Sequence, residues 1–109
     1  MFVTGICPTF RQPELLANLI ACWQLQTYPK DKRRLVILDD ARTFEDGQVY
    51  EEYEVHSAQT RFPTISAKYN HLLFELLPPQ TDIVLVIETD DIYLPDYIES
   101  HVQALQGPP

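Results

Sequence analysis

This 109-residue sequence contains few glycines, few cysteines and few basic residues, and each shortage excludes a class of protein. Three glycines beside 45% hydrophobic residues exclude a collagen-like or disordered chain and indicate a folded globular one. The two cysteines, Cys7 and Cys22, lie in apolar segments without the spacing of metal ligands. We therefore expect buried free thiols in a reducing compartment, and a single domain over residues 1–109.

Basic residues are half as numerous as acidic ones, 8 against 16, which gives a formal net charge of −8. This charge repels phosphate backbones and anionic membranes, so we expect no nucleic-acid partner. No apolar run approaches the roughly eighteen residues of a membrane span, and no basic segment precedes an apolar one at the start. The sequence therefore predicts a cytoplasmic protein without a membrane span. Because all basic residues lie at or before Lys68, the acidic last third must face solvent or hold a cation.

Short apolar runs alternate along the chain with the patterns of amphipathic helices. The runs are typical of buried parallel strands and the i, i+3, i+4 patterns of helices that pack on a sheet, so the order predicts a layered α/β fold. The run Ile83–Ile87 is expected to be the most central strand, and Ala41–Pro63 a mostly mobile loop with one minor strand at Val49–Val55. The other expected strands are Phe2–Cys7 and Leu35–Leu38, and the expected helices run from Pro13 to about Gln26, from Thr64 or Ser66 to Leu77, and from Pro95 to about Leu105.

Polar residues follow three of the expected strands at the point where each strand ends. Pro8–Arg11 follows the first strand, Asp39 and Asp40 end the second, and Glu88–Asp91 follows the run at Ile83–Ile87. Right-handed crossovers place the carboxyl ends of such strands along one edge of the sheet, where ligands of open α/β sheets bind. This edge is therefore the candidate site.

Three carboxylates at this edge, those of Glu88, Asp90 and Asp91, favour a cation site. Their mutual repulsion is relieved by a hard divalent ion, and oxygen-only ligands suit Mg²⁺ or Mn²⁺. A solvated acidic turn before a helix is the alternative, because a helix dipole also favours acids there. His101, in the last helix, is a further candidate ligand or an exposed helical histidine.

Each of the other edge residues has a functional and a structural interpretation. Asp39 and Asp40 can accept hydrogen bonds from a base or ribose, or can cap a turn. Phe10 can stack on a nucleobase or belong to the core. Arg11, Arg42 and Lys68 can meet a diphosphate, Lys68 near the start of the second helix, or can form ordinary surface salt bridges.

Taken together, the motifs resemble the nucleotide-binding half of GT-A glycosyltransferases, most nearly those of family 2. The segment Pro8–Leu16, PTFRQPELL, resembles the opening Pro-Thr-Tyr-Asn-Arg and Pro-Glu-Leu-Leu of that family, and QTYP at Gln26–Pro29 matches its helix end. The pair Asp39-Asp40 lies where the family's second strand ends in Asp-Asp. The metal motif of the family precedes a Pro-Asp-Tyr helix start, as in Glu88–Tyr97, ETDDIYLPDY.

The resemblance implies a GT-A, Rossmann-like, mostly parallel sheet with helices on both faces, and a donor site for a nucleotide sugar, by family habit a UDP-sugar. Thr9 and Phe10 would flank the nucleobase and Asp39 would hydrogen-bond it. Asp90, with Glu88 or Asp91, would hold Mn²⁺ or Mg²⁺ against the diphosphate, where the cation acts as a Lewis acid for the departing nucleoside diphosphate. The nucleotide-binding residues implied in this way are Pro8, Thr9, Phe10, Arg11, Asp39, Asp40, Lys68, Thr89 and Asp90.

Three departures from the family pattern limit the prediction. Glu88 replaces the first Asp of the acid-x-acid motif, the Asn of the opening motif is replaced around Arg11-Gln12, and the chain ends about eighteen residues after Asp91. The second half of the family, which supplies the acceptor site and the general base, has no counterpart here, so the base and the acceptor are unassigned.

We therefore expect a minimal, metal-dependent GT-A domain that transfers, or slowly hydrolyses, the sugar, with self-association as one replacement for the missing half. The alternative is a non-catalytic nucleotide-sugar binding module or a fragment that needs a partner chain. A response-regulator receiver has the same element order but carries an acidic pair after its first strand, where this chain has Pro8-Thr9.

Overall fold

A computed structural model describes residues 1–43 and 48–107. Residues 44–47, within the expected loop at 41–63, lie outside the described residues. The described part has a 3₁₀ turn at Lys30–Lys32 and a π-helical turn at Leu72–Leu76 besides its main elements. These elements are β1 (Val3–Thr9), α1 (Pro13–Gln24), β2 (Arg33–Asp39), β3 (Gln48–Val49), β4 (Tyr53–Ser57), α2 (Ile65–His71), β5 (Ile83–Val86) and α3 (Tyr97–Gln106).

The strands form one five-stranded sheet in the order β3-β4-β2-β1-β5. All neighbouring pairs are parallel except β3 and β4, which are antiparallel. The register pairs Thr9 of β1 with Asp39 of β2, so these two strands end level with each other. The expected α/β fold with a mostly parallel sheet is confirmed, and the carboxyl ends of its strands lie along one edge.

Helices cover the two faces of the sheet unequally. On one face α1 and α3 bury Leu19, Trp23 and Ile98 against alternate side chains of β1 and β2. On the other face Leu72, in the π-helical turn, packs with Ile6 of β1 and with the remaining side chains of β2. Since both faces of β1 and β2 are covered, consecutive residues are apolar at Ile6-Cys7 in β1 and over Leu35–Leu38 in β2.

The expectation that Ile83–Ile87 forms the central strand is wrong. Within the described residues β5 pairs with β1 alone and lies at one end of the sheet. Val84 is 37% exposed and Val86 50% exposed, whereas Ile83, Leu85 and Ile87 are buried. The cluster around Leu72 packs on β1 and β2 and does not extend over this face of β5, so a five-residue aliphatic run here is covered on one side alone.

The expected loop at 41–63 is in part a strand. Tyr53–Ser57 forms β4, which pairs in parallel with β2 and overlaps the expected minor strand at residues 53–55, while the short β3 overlaps it at Val49. Arg34 joins this region to β2, because its guanidinium forms a salt bridge of 2.8 Å with Glu54 and donates to the carbonyl of Glu51. Alternation is weak in this segment, and a long-range ion pair replaces it as the organising contact.

Two smaller expectations have definite outcomes. The second helix begins after Thr64, whose hydroxyl caps it by accepting from the amide of Ala67. Cys7 is buried and free, but Cys22, expected to be buried, is half-buried and free. No helix in residues 1–43 and 48–107 is long and apolar enough to cross a membrane.

Candidate functional site

Two adjoining cavities form a groove across the carboxyl ends of β1, β2 and β5. The first has a volume of about 470 Å³ and the second about 330 Å³. Pro8, Gln12 and Ile65 lie on the walls of both cavities, so the two adjoin each other. The sequence-predicted residues Pro8, Thr9, Phe10, Asp40 and Lys68 line the first cavity, and Pro8, Glu88, Thr89 and Asp90 line the second.

Asp40 and Lys68 form a buried ion pair beneath the first cavity. The Lys68 Nζ lies 2.6 Å from an Asp40 carboxylate oxygen and donates to the carbonyl of Thr9 at 2.6 Å. The second Asp40 oxygen accepts from the amide of Phe62 at 2.8 Å. Burial alone would raise the pKa of Asp40, but the hydrogen bonds from Lys68 and Phe62 outweigh it and hold that pKa below its usual value. The Lys68 ammonium is therefore neutralised within the fold.

Asp39 holds the turn that follows β2. It is fully buried, and its two carboxylate oxygens accept from the amide of Ala41 at 3.1 Å and the amide of Thr43 at 2.8 Å. Of the two interpretations of Asp39, the turn cap is the one that these contacts describe. A hydrogen bond from Asp39 to a nucleobase stays a prediction.

Phe10 lines the first cavity and belongs to neither core cluster. Its ring is contacted by two guanidinium groups, that of Arg61 at 3.9 Å from the ring centroid and that of Arg11 at 5.0 Å. Arg61 also lines the cavity, whereas Arg11 and Arg42 line neither cavity. Both Arg11 and Arg42 have left-handed backbone, with φ of 54° and 59°, in the turns after β1 and β2.

The groove also contains two polar groups with unusual contacts. The Thr9 hydroxyl is buried and has no hydrogen-bond partner among the described residues. The Thr89 hydroxyl donates to the side-chain oxygen of Gln12 at 2.5 Å, which joins the start of α1 to the end of β5. A buried hydroxyl without a partner on a cavity wall is available to a bound polar group.

Three exposed carboxylates meet at the far end of the groove. One ligand atom from each of Glu88, Asp90 and Asp91 lies within 4.8 Å of the others, and no other group of this kind occurs in residues 1–43 and 48–107. His101 is therefore not part of it. The donor set fits Mg²⁺ or Mn²⁺, since it consists of carboxylate oxygens alone and leaves room for other oxygen ligands.

Tyr93 anchors the turn that carries these carboxylates. Its hydroxyl accepts from the amide of Glu88 at 2.9 Å. Burial raises the pKa of Tyr93 to about 12, with a further upward contribution from the negative charge of Asp91, while the Glu88 amide lowers it. The hydroxyl therefore stays protonated at neutral pH, and the turn is held without adding a fourth negative charge.

Several residues of the groove were not predicted from the sequence, among them the polar residues Arg61 and Gln12. Gln12 lies inside the opening motif, at the point where this sequence departs from the family pattern. Arg61 lies in a segment without periodic patterning, so nothing local indicates that it contacts Phe10, fifty-one positions earlier in the chain.

Comparisons with known proteins identify the fold. No family model matches the chain, and no curated protein matches it in sequence. Among solved structures, residues 1–349 of TarS from S. aureus, a glycosyltransferase, superpose with a TM-score of 0.74 at 19% identity, covering 94% of this chain and 31% of that one.

Two further TarS structures also match. The 1–349 fragment in complex with UDP gives a TM-score of 0.68 at 18% identity, with the same two coverages. A longer TarS structure gives 0.70 at 18% identity, covering 94% of this chain and 19% of that one. This chain thus spans less than a third of each of these proteins. Its five-stranded, mostly parallel sheet with flanking helices matches the Rossmann-like fold of these structures.

Proposed function

We propose that this chain is a metal-dependent glycosyltransferase domain, of the GT-A family 2 type and in minimal form, that binds a UDP-sugar. The observation that carries the proposal is the pair of adjoining cavities, one lined by Phe10 and the other by carboxylates of the three-carboxylate cluster, at the carboxyl edge of a sheet that matches a glycosyltransferase Rossmann-like fold. The TarS structure that contains UDP shows that a protein of this fold binds that nucleotide.

The lining of the groove matches the parts of a nucleotide sugar in order. The first cavity offers a ring for stacking at Phe10 and a hydroxyl without a partner at Thr9, which suits a planar base with polar edges. The second cavity offers the carboxylates of Glu88 and Asp90 beside Thr89, which suits a diphosphate bound through a cation.

The chemistry in this proposal is leaving-group stabilisation. A bound Mn²⁺ or Mg²⁺ supplies Lewis-acid stabilisation of the negative charge that develops on the departing nucleoside diphosphate. Asp90, with Glu88 or Asp91, would hold the cation. The bond from Thr89 to Gln12 fixes the wall of the groove between the two cavities, so the donor is held in one orientation.

A non-catalytic nucleotide-sugar binding module, or a domain that needs a partner chain for the acceptor site, is the second candidate. This candidate requires only the groove that the described residues form, without a general base or an acceptor site. No residue is assigned as general base. Self-association and a cytoplasmic location stay predictions.

The first experiment measures thermal unfolding with UDP, GDP, CDP and dTDP, each with and without Mn²⁺. A ligand at about 100 times its Kd stabilises the fold by about 2.7 kcal/mol, which raises the midpoint of a domain of this size by roughly 10 °C. We expect a shift with UDP that requires the metal. Absence of any shift would contradict the proposal.

Two variants test whether Asp90 belongs to the metal-dependent nucleotide site. Asp90→Asn should abolish the metal-dependent shift, whereas Asp96→Asn, the same charge change at an exposed residue outside the groove, should keep it. A shift that survives in Asp90→Asn would show that the site is assigned wrongly.

Turnover separates the two candidate functions. Release of UDP from a UDP-sugar by the purified chain would favour the enzyme, and tight binding without release would favour the binding module.

A further inference from the structure

Among the described residues, the Arg61 guanidinium is a positive charge without an ion-pair partner on the wall of the first cavity. Its contact is the Phe10 ring, 3.9 Å away, and it pairs with no carboxylate of the described residues. The other basic residue on this wall, Lys68, is buried and neutralised by Asp40. Arg61 is exposed, so its side chain can leave the ring without disturbing the core.

The position of this guanidinium conflicts with an occupied base site. A cation 3.9 Å from the ring centroid covers one face of Phe10, so a planar ligand must displace it before stacking on that face. Arg11 contacts the same ring from 5.0 Å but does not line the cavity. Displacement frees a planar donor that binds phosphate oxygens in bidentate fashion.

We propose that Arg61 is a specificity residue that makes this cavity select phosphorylated nucleotides over nucleosides; the inference rests on the proposed function. Without ligand, Arg61 covers Phe10 and competes with any base. When the ligand carries a phosphate, the displaced guanidinium pairs with it and the competition is more than offset. A nucleoside displaces the same group and gains nothing in return.

This arrangement predicts changes of opposite sign when the charge is removed. In Arg61→Met the competitor is lost, so uridine should bind about two- to five-fold more tightly, the equivalent of one exposed cation–π contact. UDP is relieved of the same competitor but loses a charge-assisted pair worth about ten-fold or more, so its net affinity should fall by about two-fold or more. A residue with a merely structural role would change both affinities in the same direction.

The test is titration of the ¹⁵N-labelled chain by NMR with uridine and with UDP, both in the presence of Mg²⁺. Wild type, Arg61→Met and Lys32→Met are compared. Lys32 is exposed, forms no side-chain ion pair among the described residues and lies at the opposite end of β2. Lys32→Met removes the same charge and should leave both affinities unchanged.

The outcomes separate the inference from the proposed function. Tighter uridine and weaker UDP binding in Arg61→Met, with no change in Lys32→Met, supports the inference. Equal changes for both ligands, or no change, would overturn the inference about Arg61. UDP binding by the wild type would still support the proposed function in that case. Failure of the wild type to bind UDP overturns both.

Discussion

Replacement of Lys68 by methionine should destabilise the fold more than most single substitutions. Asp40 and Lys68 are each 5% exposed, and their ion pair joins the end of β2 to α2. Without the ammonium, the Asp40 carboxylate keeps one hydrogen-bond donor from another described residue, the amide of Phe62, and stays buried. Leaving one partner of a buried ion pair uncompensated costs about 3–5 kcal/mol.

That cost is large beside the stability of a small domain, which is about 5–15 kcal/mol in total. It corresponds to a fall of roughly 10–20 °C in the unfolding midpoint. Trp23 is the one tryptophan of the sequence and is 3% exposed, so its fluorescence reports unfolding of the core. Urea titrations of Lys68→Met at pH 7 give the free energy of unfolding directly.

Two controls test the physical reason. Lys32→Met removes one exposed positive charge and should change the free energy of unfolding by less than about 0.5 kcal/mol. The double variant Asp40→Asn with Lys68→Met should recover much of the loss, because it leaves no buried charge and keeps an acceptor for the Phe62 amide. A loss below about 1 kcal/mol in Lys68→Met, or a double variant less stable than that single one, would refute the reasoning.

The same pair makes the difference between wild type and variant depend on pH. The pKa of Asp40 is lowered in the fold, where the hydrogen bonds from Lys68 and Phe62 outweigh the effect of burial. Its contribution to stability is therefore present above the unfolded pKa of about 3.9 and is lost as the pH falls through the folded pKa. In Lys68→Met the effect of burial dominates and raises the pKa of Asp40. Protonation of Asp40 at lower pH therefore removes the uncompensated buried charge and stabilises the variant. The difference in free energy of unfolding between wild type and Lys68→Met should decrease from pH 7 towards pH 3.

Two further predictions concern the buried face of β1. A Cβ on Gly5 would lie 2.9 Å from Trp23 and 3.0 Å from Ile87, so Gly5→Ala should lower the free energy of unfolding by about 1–3 kcal/mol, and an unchanged urea midpoint would contradict this packing. Burial raises the pKa of Cys7 to about 12, so iodoacetamide at pH 8 should modify Cys7 only after unfolding. Mass spectrometry of native and urea-treated protein measures the modification. Rapid labelling of Cys7 in the native protein would contradict its burial.

The parts of the fold that the sequence predicts are those fixed by local patterns. β1 and β2 are apolar on consecutive residues because helices cover both faces of the sheet there. Each then ends in polar residues, so the edge that carries Thr9, Asp39 and Asp40 follows from the sequence and the rule for parallel crossovers. The cap at Thr64 is equally local, since hydroxyl and amide are three residues apart.

The parts that the sequence does not predict depend on contacts between distant segments. An aliphatic run at Ile83–Ile87 has the same pattern whether one or both faces are covered, so the end position of β5 is not encoded locally. Lys68 shows the same limit in the candidate site. Its place near the start of a helix favours a phosphate contact, which stays a prediction, but nothing local indicates its buried ion pair with Asp40, 28 residues earlier.

The charges that line the groove explain why the proposed function includes a divalent cation. Once Lys68 is neutralised by Asp40, Arg61 is the unpaired cation that lines the first cavity in the described part of the chain, and Glu88, Asp90 and Asp91 meet at the far end. A diphosphate placed between these ends would meet more negative than positive charge, and unit charges about 4 Å apart near a protein surface repel by about 4 kcal/mol. A divalent cation reverses that balance at the carboxylates, while Arg61 acts at the opposite end. The metal and Arg61 therefore have complementary roles in the proposal. The metal would allow a diphosphate to bind beside acidic residues, and Arg61 would favour a ligand that carries the diphosphate.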